Sequence, residues 1–586
     1  MSLPLPGAFP TRPVLAIATL AFATACSTLT ETTPTQTTTT TAPAATKPAA
    51  APEPQPAQLF KGLGSHTRAV STKNEQAQTY FNQALTWTFS FNHDEAIRSY
   101  QKAADLDPNL AFAYWGIALC NGPHINNPVM DEPRAKAAWD ALQKAKTLAA
   151  KGGATAQEQA LITALAARYT DPSHSPIPFT FEERAPLDKA YADAMAKVYA
   201  QFPDDADIAT LYAESLMDCR PWDLWEPETK EPRPEAPKVL AALEHALELS
   251  PNHPGANHYY IHAVEASTHP DKAVAAADRL RTLIPASGHM VHMPAHIDVR
   301  VGRWTQASEQ NRQAITVDAA YRKLSPTQGI YRIYMAHNDH FLSWACMMLG
   351  RKQESLAAAR HMIATIPKEF AKDAAPFVDP MMLVEMEALM RFGMWEDILK
   401  VPEPAEYHPI TRAYRHFARA SAFAAMNKIS DAEAEQALFK TAVAAIPEKA
   451  MMVQNPAHKV LDLAAHTLAG EIAYRKGDTS AAVAELTKAV EIEDTLRYME
   501  PPDWFQPSRH SLGAVLLAAG RKTEAEKVYR ADLERWPENG WALYGLSECL
   551  ESSAPEAAAV KSRFNKAWAD ADTKIKATCL CVTPAN

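Results

Sequence analysis

The stretch "YFNQALTWTFSFNHDEAIRSYQKAADLDP", residues 80–108, narrows what this chain can fold into more than any other. Tyr80, Ala84, Trp87, Ala96, Tyr100, Ala103 and Pro108 have the spacing of a 34-residue helix-turn-helix unit. The small side chains at Ala84, Ala96 and Ala103 let two helices approach, the aromatics fill between them, and Pro108 stops the second helix. The pattern recurs. "HSLGAVLLAAGRKTEAEKVYRADLERWP" puts Gly513, Leu516, Ala525, Tyr529 and Pro537 in matching places, and "AGEIAYRKGDTSAAVAELTKAVEIE" follows it without the closing proline. Pro203, Pro251, Pro285 and Pro367 each close a further second helix. Strand-like alternation is scarce. At least seven or eight units are expected, interrupted by insertions such as "RPWDLWEPETKEPRPE" and "LSPTQGIYR".

These residues resemble the tetratricopeptide repeat, and the resemblance runs from about residue 75 to 575. It implies an all-α, TPR-like α-solenoid over 61–586: a right-handed superhelix of helix-turn-helix repeats whose first helices line the concave wall. Within it fall N-terminal repeats (75–150), a central His-rich block (185–375) and C-terminal repeats (410–575).

Ahead of the repeats, Arg12 precedes an apolar run from Val14 to Ala25, too short for a comfortable membrane span. It ends in "ATAC", which resembles the lipobox of bacterial lipoproteins. The resemblance implies a signal peptide over 1–25 and lipidation of Cys26. Ser27 then favours the periplasmic face of the outer membrane, so the membrane is a partner through the lipid. Residues 26–60 are rich in Thr, Pro and Ala and read as a disordered tether. The net charge of −10 offers no basic stripe for phosphates, which excludes nucleic acid as a partner. Six cysteines follow Cys26; only Cys549, Cys579 and Cys581 lie close enough to suggest pairing, and spacing does not fix it. The "CLC" end is alternatively a minor metal site.

With the repeat as a ruler, the histidines fall into register. Ten of the 20 lie between 245 and 340. Counting from Pro251, offsets +7, +11 and +14 are His258, His262 and Glu265; from Pro285, +4, +7 and +11 are His289, His292 and His296. Counting back from Pro367 puts His337 and His340 at the equivalents of +4 and +7. At ~100° per residue these offsets share an arc of about 80° on the concave side. His245, His253 and His269 fall outside the register and read as surface or turn residues.

Clustered neutral imidazoles with carboxylate help are what a transition metal requires, with zinc, copper and iron the candidates. The expected ligands are His258, His262, Glu265, His289, His292, His296, His337 and His340, too many for one tetrahedral shell. They suit two ions, or one ion with supporting groups. Glu265 is the candidate catalytic base for metal-activated water. The glutamate of the helical metalloprotease motif is absent, because Tyr259 stands in its place. Pro294 requires either a helix start or a kink within "GHMVHMPAHIDVR". His124, Glu214 and His510 are further candidates to border the groove.

Together "AYWGIALCNGPHIN", "RPWDLW", "NHYYIHAVE", "GHMVHMPAHI" and "EPPDWFQPSRHSLG" resemble a family of bacterial tetratricopeptide-repeat lipoproteins. That resemblance implies the fold and the export setting and assigns no reaction. Three readings follow: a metal-binding protein, with metal-dependent catalysis as its enzymatic form; a scaffold holding a protein or peptide in the groove; and a metal storage or delivery protein.

Overall fold

A computed structural model of the chain describes residues 56–175, 177–326, 328–551 and 555–583. The expected signal peptide, Cys26 and the tether up to residue 55 lie outside the described residues. Among the described residues, apart from a hairpin of Met451–Met452 with Asn455–Pro456 and two isolated β-bridges, the regular structure is helical. No helix among the described residues is long and apolar enough to cross a membrane.

The helices pack as consecutive antiparallel pairs, as the repeat predicts. The first pair is Glu75–Phe89 with His93–Leu106. The Asn74 side chain caps the first helix by accepting from the backbone of Gln76 and Ala77, and Asn92 caps the second through Glu95. Glycines let the pairs close. A methyl group on Gly116 would lie 2.4 Å from the Tyr100 ring, and one on Gly513 would lie 2.4 Å from Tyr529. The same small-against-large contact therefore recurs 397 residues apart in the chain (513 − 116). Burial of Phe81, Trp87, Tyr100, Phe112 and Trp115 makes the apolar core of these first repeats.

Successive first helices also touch one another: Pro409–Ala425 meets Ala457–Arg475, which meets Ser508–Ala518. The coil closes on itself. Helix Glu75–Phe89 packs on Pro254–Val264, and the Tyr321 hydroxyl donates to Glu95 at 2.8 Å. From the other end, Trp541 donates its indole N–H to the Met347 carbonyl at 2.8 Å, and Trp304 donates to Pro537 at 2.7 Å. The central repeats thus lie enclosed between the two ends of the chain.

Both termini of the described chain lie on the body. Gln58 donates to the Leu324 carbonyl and Phe60 packs edge-on against Trp87. Arg68 and His66 bind Asp207, with Arg68 also holding Asp205. At the far end Leu580–Val582 lies across Pro409–Ala425, Ala457–Arg475 and Ser508–Ala518, three successive first helices.

Candidate metal centre

The "GHMVHMPAHIDVR" segment forms two short helices, Gly288–His292 and Pro294–Arg300. Pro294 therefore starts a helix, at a position where its missing N–H costs nothing. His289 and His292 lie on the short helix ahead of it, and Met293 (φ −50°, ψ −38°) carries a helical backbone across the break, so the outcome combines the two alternatives. Met290 and Met293 are fully buried packing residues.

The imidazoles gather in two groups of three. In the first, His258 and His262 of helix Pro254–Val264 meet His289, with one ligand atom from each residue within 4.8 Å of the others. His258 Nε2 lies 3.1 Å from His262 Nε2 and 3.1 Å from His289 Nε2. The far nitrogens decide the protonation. His258 Nδ1 lies 2.7 Å from the Phe89 carbonyl, which only accepts, so Nδ1 carries the hydrogen. His262 Nδ1 lies 3.0 Å from Glu265 Oε1 and likewise donates. In the neutral imidazoles both Nε2 atoms are then bare lone pairs facing each other. One proton on His289 Nε2 satisfies one of them and leaves the other.

The second group is His292, His296 and His337, the last from helix Tyr331–Met348. His292 Nε2 lies 2.8 Å from His296 Nε2. His292 Nδ1 lies 2.7 Å from Asn311 Oδ1, and the Asn311 amide is oriented by its own donation to the Ala307 carbonyl. That pins the hydrogen on His292 Nδ1 and bares its Nε2 as well. The two groups adjoin: the rings of His262 and His296 are 5.9 Å apart, and those of His289 and His292 are 6.1 Å apart.

Glu265 joins them. Its Oε1 serves His262, while its Oε2 lies 2.8 Å from His296 Nδ1. Glu500, from the C-terminal repeats, places its Oε2 at 2.8 Å from the same Nδ1. All of these groups except the partly buried His337 are at most 7 % exposed, so water screens little. Burial, with its neighbours' charges, drives His258, His289, His292 and His337 well below the usual imidazole range, and His262 below it too. His296 is the exception. Burial acts to lower it, but Glu265 and Glu500 outweigh burial and raise it to about 10. Glu265 is correspondingly held below the ordinary carboxylate range, against burial, by His296 and His262. In the second group a proton thus takes the place of a cation between His292 and His296.

Two aromatic residues with left-handed backbones flank the first group. Phe91 (φ 54°) puts its ring 4.7 Å from His258, and Trp222 (φ 58°) puts its ring 5.1 Å from His262. Such conformations cost roughly 1–3 kcal/mol outside glycine and persist only where packing enforces them. Trp222, Trp225 and Tyr498 also border a cavity of about 20 Å³ that reaches His262 and Glu265, room for one water.

Other expected residues stand apart. His340 joins neither group; its ring lies 4.9 Å from Phe505, and burial lowers it to about 3. His124 stacks on Phe91 at 4.5 Å, beside His93, and belongs to neither imidazole group. Glu214 belongs to a buried ionic network with Asp218 and Arg168. His510 is bound to Asp532 at 2.9 Å, away from the imidazole groups. Glu265 meets imidazole nitrogen with both oxygens, which makes it an orienting group rather than a free base. His253 is not at the surface: its Nδ1 caps helix Pro254–Val264 by accepting from Ala256, and its Nε2 meets Asp207 at 3.0 Å. Sequence reasoning missed Glu500, Asn311, Phe89 and His93. Glu500 heads the very "EPPDWFQPSRH" stretch singled out for its histidine. Asn311 and Phe89 act from a partner helix and through a carbonyl, which no residue pattern signals.

Among known families, residues 77–110 match the tetratricopeptide repeat. No curated protein is matched. Solved structures that align include the human IFIT1 dimer with m7Gppp-AAAA, 14% identical over 85% of this chain and 91% of that one, with a TM-score of 0.31. Yeast Tom70 aligns at 11% identity over 84% and 91%, with a TM-score of 0.26. The TPR domain of P58(IPK) aligns at 11% over 81% and 97%, with a TM-score of 0.19. Likenesses this distant carry no argument about what the central histidines do.

Proposed function

We propose that this chain is a metal-binding α-solenoid that encloses two transition-metal ions, one at His258, His262 and His289 and one at His292, His296 and His337. The observation that carries the reading is the convergence of His258 Nε2 and His262 Nε2 at 3.1 Å, each with its hydrogen held on the opposite nitrogen. Two bare lone pairs so placed repel unless a cation lies between them. Ligand nitrogens on a tetrahedral ion with bonds of ~2.0–2.1 Å stand about 3.3 Å apart, close to the spacing found. The Nδ1 partners (a carbonyl, an amide and two carboxylates) are of the kind that orients imidazoles on metals. Three-nitrogen sets suit zinc, copper or iron.

Each set leaves a position for a further ligand. The cavity beside His262 supplies a water-sized space there, which keeps metal-activated water chemistry within this reading. The export and lipid anchoring implied by residues 1–26 belong to the same proposal: an envelope-tethered metal protein.

Elemental analysis of the untagged soluble body is the test. Two equivalents of zinc, copper or iron are expected, with His258→Ala losing one and His292→Ala losing the other. A protein that takes up no stoichiometric Zn²⁺ or Cu²⁺ on dialysis sinks the proposal. The peptide-scaffold reading has one observation in its favour, an open cleft of about 230 Å³ lined by Arg322, Arg332, Ile333, Phe370 and Met381. Metal-free protein that captures a peptide there would replace the metal reading.

A further inference from the structure

The C-terminal tail carries a second constellation, remote from the imidazoles. Cys579 and Cys581 are joined in a disulfide, both at most 4 % exposed, on the turn Leu580–Val582. Beneath them on helix Ala457–Arg475 lies Glu471, 6 % exposed. One ligand atom each from Glu471, Cys579 and Cys581 falls within 4.8 Å of the others.

Two features set this apart from a structural bridge. A disulfide between residues two apart ties no separate elements together. The tail is fastened by other means: Arg475 donates to the Cys581 and Thr583 carbonyls, Arg391 donates to the Thr578 carbonyl at 3.0 Å, and Tyr529 pairs with Thr578 at 2.7 Å. The second feature is the carboxylate. Among the described residues Glu471 Oε2 makes no well-formed hydrogen bond, although the Ser421 hydroxyl faces the carboxyl, and Oε1 lies 4.0 Å from Cys579 Sγ, which as a disulfide sulfur has no hydrogen to donate. Ionised, a buried carboxyl this poorly supplied with donors is destabilising, and burial accordingly raises Glu471 to about 7. Two thiolates and a cation would remove the conflict.

We propose that Cys579, Cys581 and Glu471 form a thiolate metal site for Zn²⁺ that the disulfide closes and reduction opens. An external dithiol supplies the two electrons and two protons. The S–S bond breaks, two S–H groups form, and the dithiol becomes a cyclic disulfide. On binding Zn²⁺ both thiols release their protons, giving two sulfur donors and one carboxylate oxygen. The site is independent of the imidazole centre.

The experiment uses the full chain, first saturated with Zn²⁺ while oxidised. After anaerobic reduction with dithiothreitol and removal of the reductant, Zn²⁺ uptake is counted against a chromophoric chelator. One added equivalent is expected in wild type, none in Cys579→Ser/Cys581→Ser, and weakened binding in Glu471→Gln. Cys120, Cys219, Cys346 and Cys549 remain in every variant, so the difference isolates the tail. His258→Ala/His292→Ala should lower the oxidised baseline and leave the increment intact, which separates failure here from failure of the imidazole reading. Wild type alkylated after reduction should also lose the increment, a control that needs no refolded variant. No increment on reduction, or an increment that survives alkylation or the double serine change, overturns the proposal.

Discussion

Four imidazoles of the central groups, those of His258, His262, His292 and His296, are oriented by the partner of the far nitrogen. Asn311 shows this most cleanly, because it touches His292 and is no ligand itself. Replacing Asn311 by Leu frees the His292 ring to flip or change tautomer. Changes at such supporting positions weaken metal affinity ~10–100-fold. Competition titration of Asn311→Leu should show that loss at one of two sites, with the circular dichroism unchanged. Asp318 makes a different residue-scale argument. Burial pushes its carboxyl up to about 7, although Asn338 donates to it at 2.7 Å. The sign follows from where each state ionises. Below about pH 4 both folded and unfolded chains hold the proton. Between about 4 and 7 the unfolded chain loses it and the folded chain does not, so stability falls as pH rises through that window and the loss is complete above 7. Asp318→Asn should therefore gain up to about 4 kcal/mol over wild type at pH 8 and about 1 kcal/mol at pH 4.5, read by chemical denaturation.

At the scale of helices, the repeat register explains which histidines meet. Offsets +7 and +11 of one first helix join +4 of the next: His258 and His262 with His289, then His292 and His296 with His337. The rule also explains why His340 is left over. It stands at +7 of the third helix, but +11 there is Trp344. Gly255 supports the first group through packing. A methyl group there would lie 2.5 Å from the Phe89 ring, whose residue also supplies the carbonyl that holds His258. Gly255→Ala should cost about 1–3 kcal/mol in stability. It should also weaken the His258 site while sparing the His292 site, a split that isothermal titration resolves. Much of this was legible beforehand. Helix pairing followed from small and aromatic residues at fixed spacing, and six of the eight expected metal ligands share the two imidazole groups because the register carries over from one repeat to the next. What stayed hidden came across sequence distance. Glu500 reaches His296 over 204 residues (500 − 296), and His253 became a buried cap because the arm bearing His66 folds back over Asp207. Most of the histidines expected to line a groove are buried instead, because spacing within repeats carries no information about how far the superhelix closes.

The whole molecule is a coil whose ends meet around its middle. Phe89 and Phe91 approach the imidazoles from the first repeats, and Glu500 approaches from the last. An ion held there fastens segments more than 400 residues apart, from Phe89 to Glu500. Stripping the metal should therefore raise hydrogen exchange at both helix Glu75–Phe89 and the 498–505 segment, and lower the thermal midpoint of the entire chain. Added Zn²⁺ should restore both in proportion to the logarithm of its concentration. An effect confined to residues 254–300 would count against this coupling. The near-complete enclosure of these rings also bears on time. A competing chelator cannot reach an ion behind His258 and His292 while the coil is shut, so the half-life of release should be set by how often the solenoid breathes open, and beyond a modest excess more chelator should not hasten it.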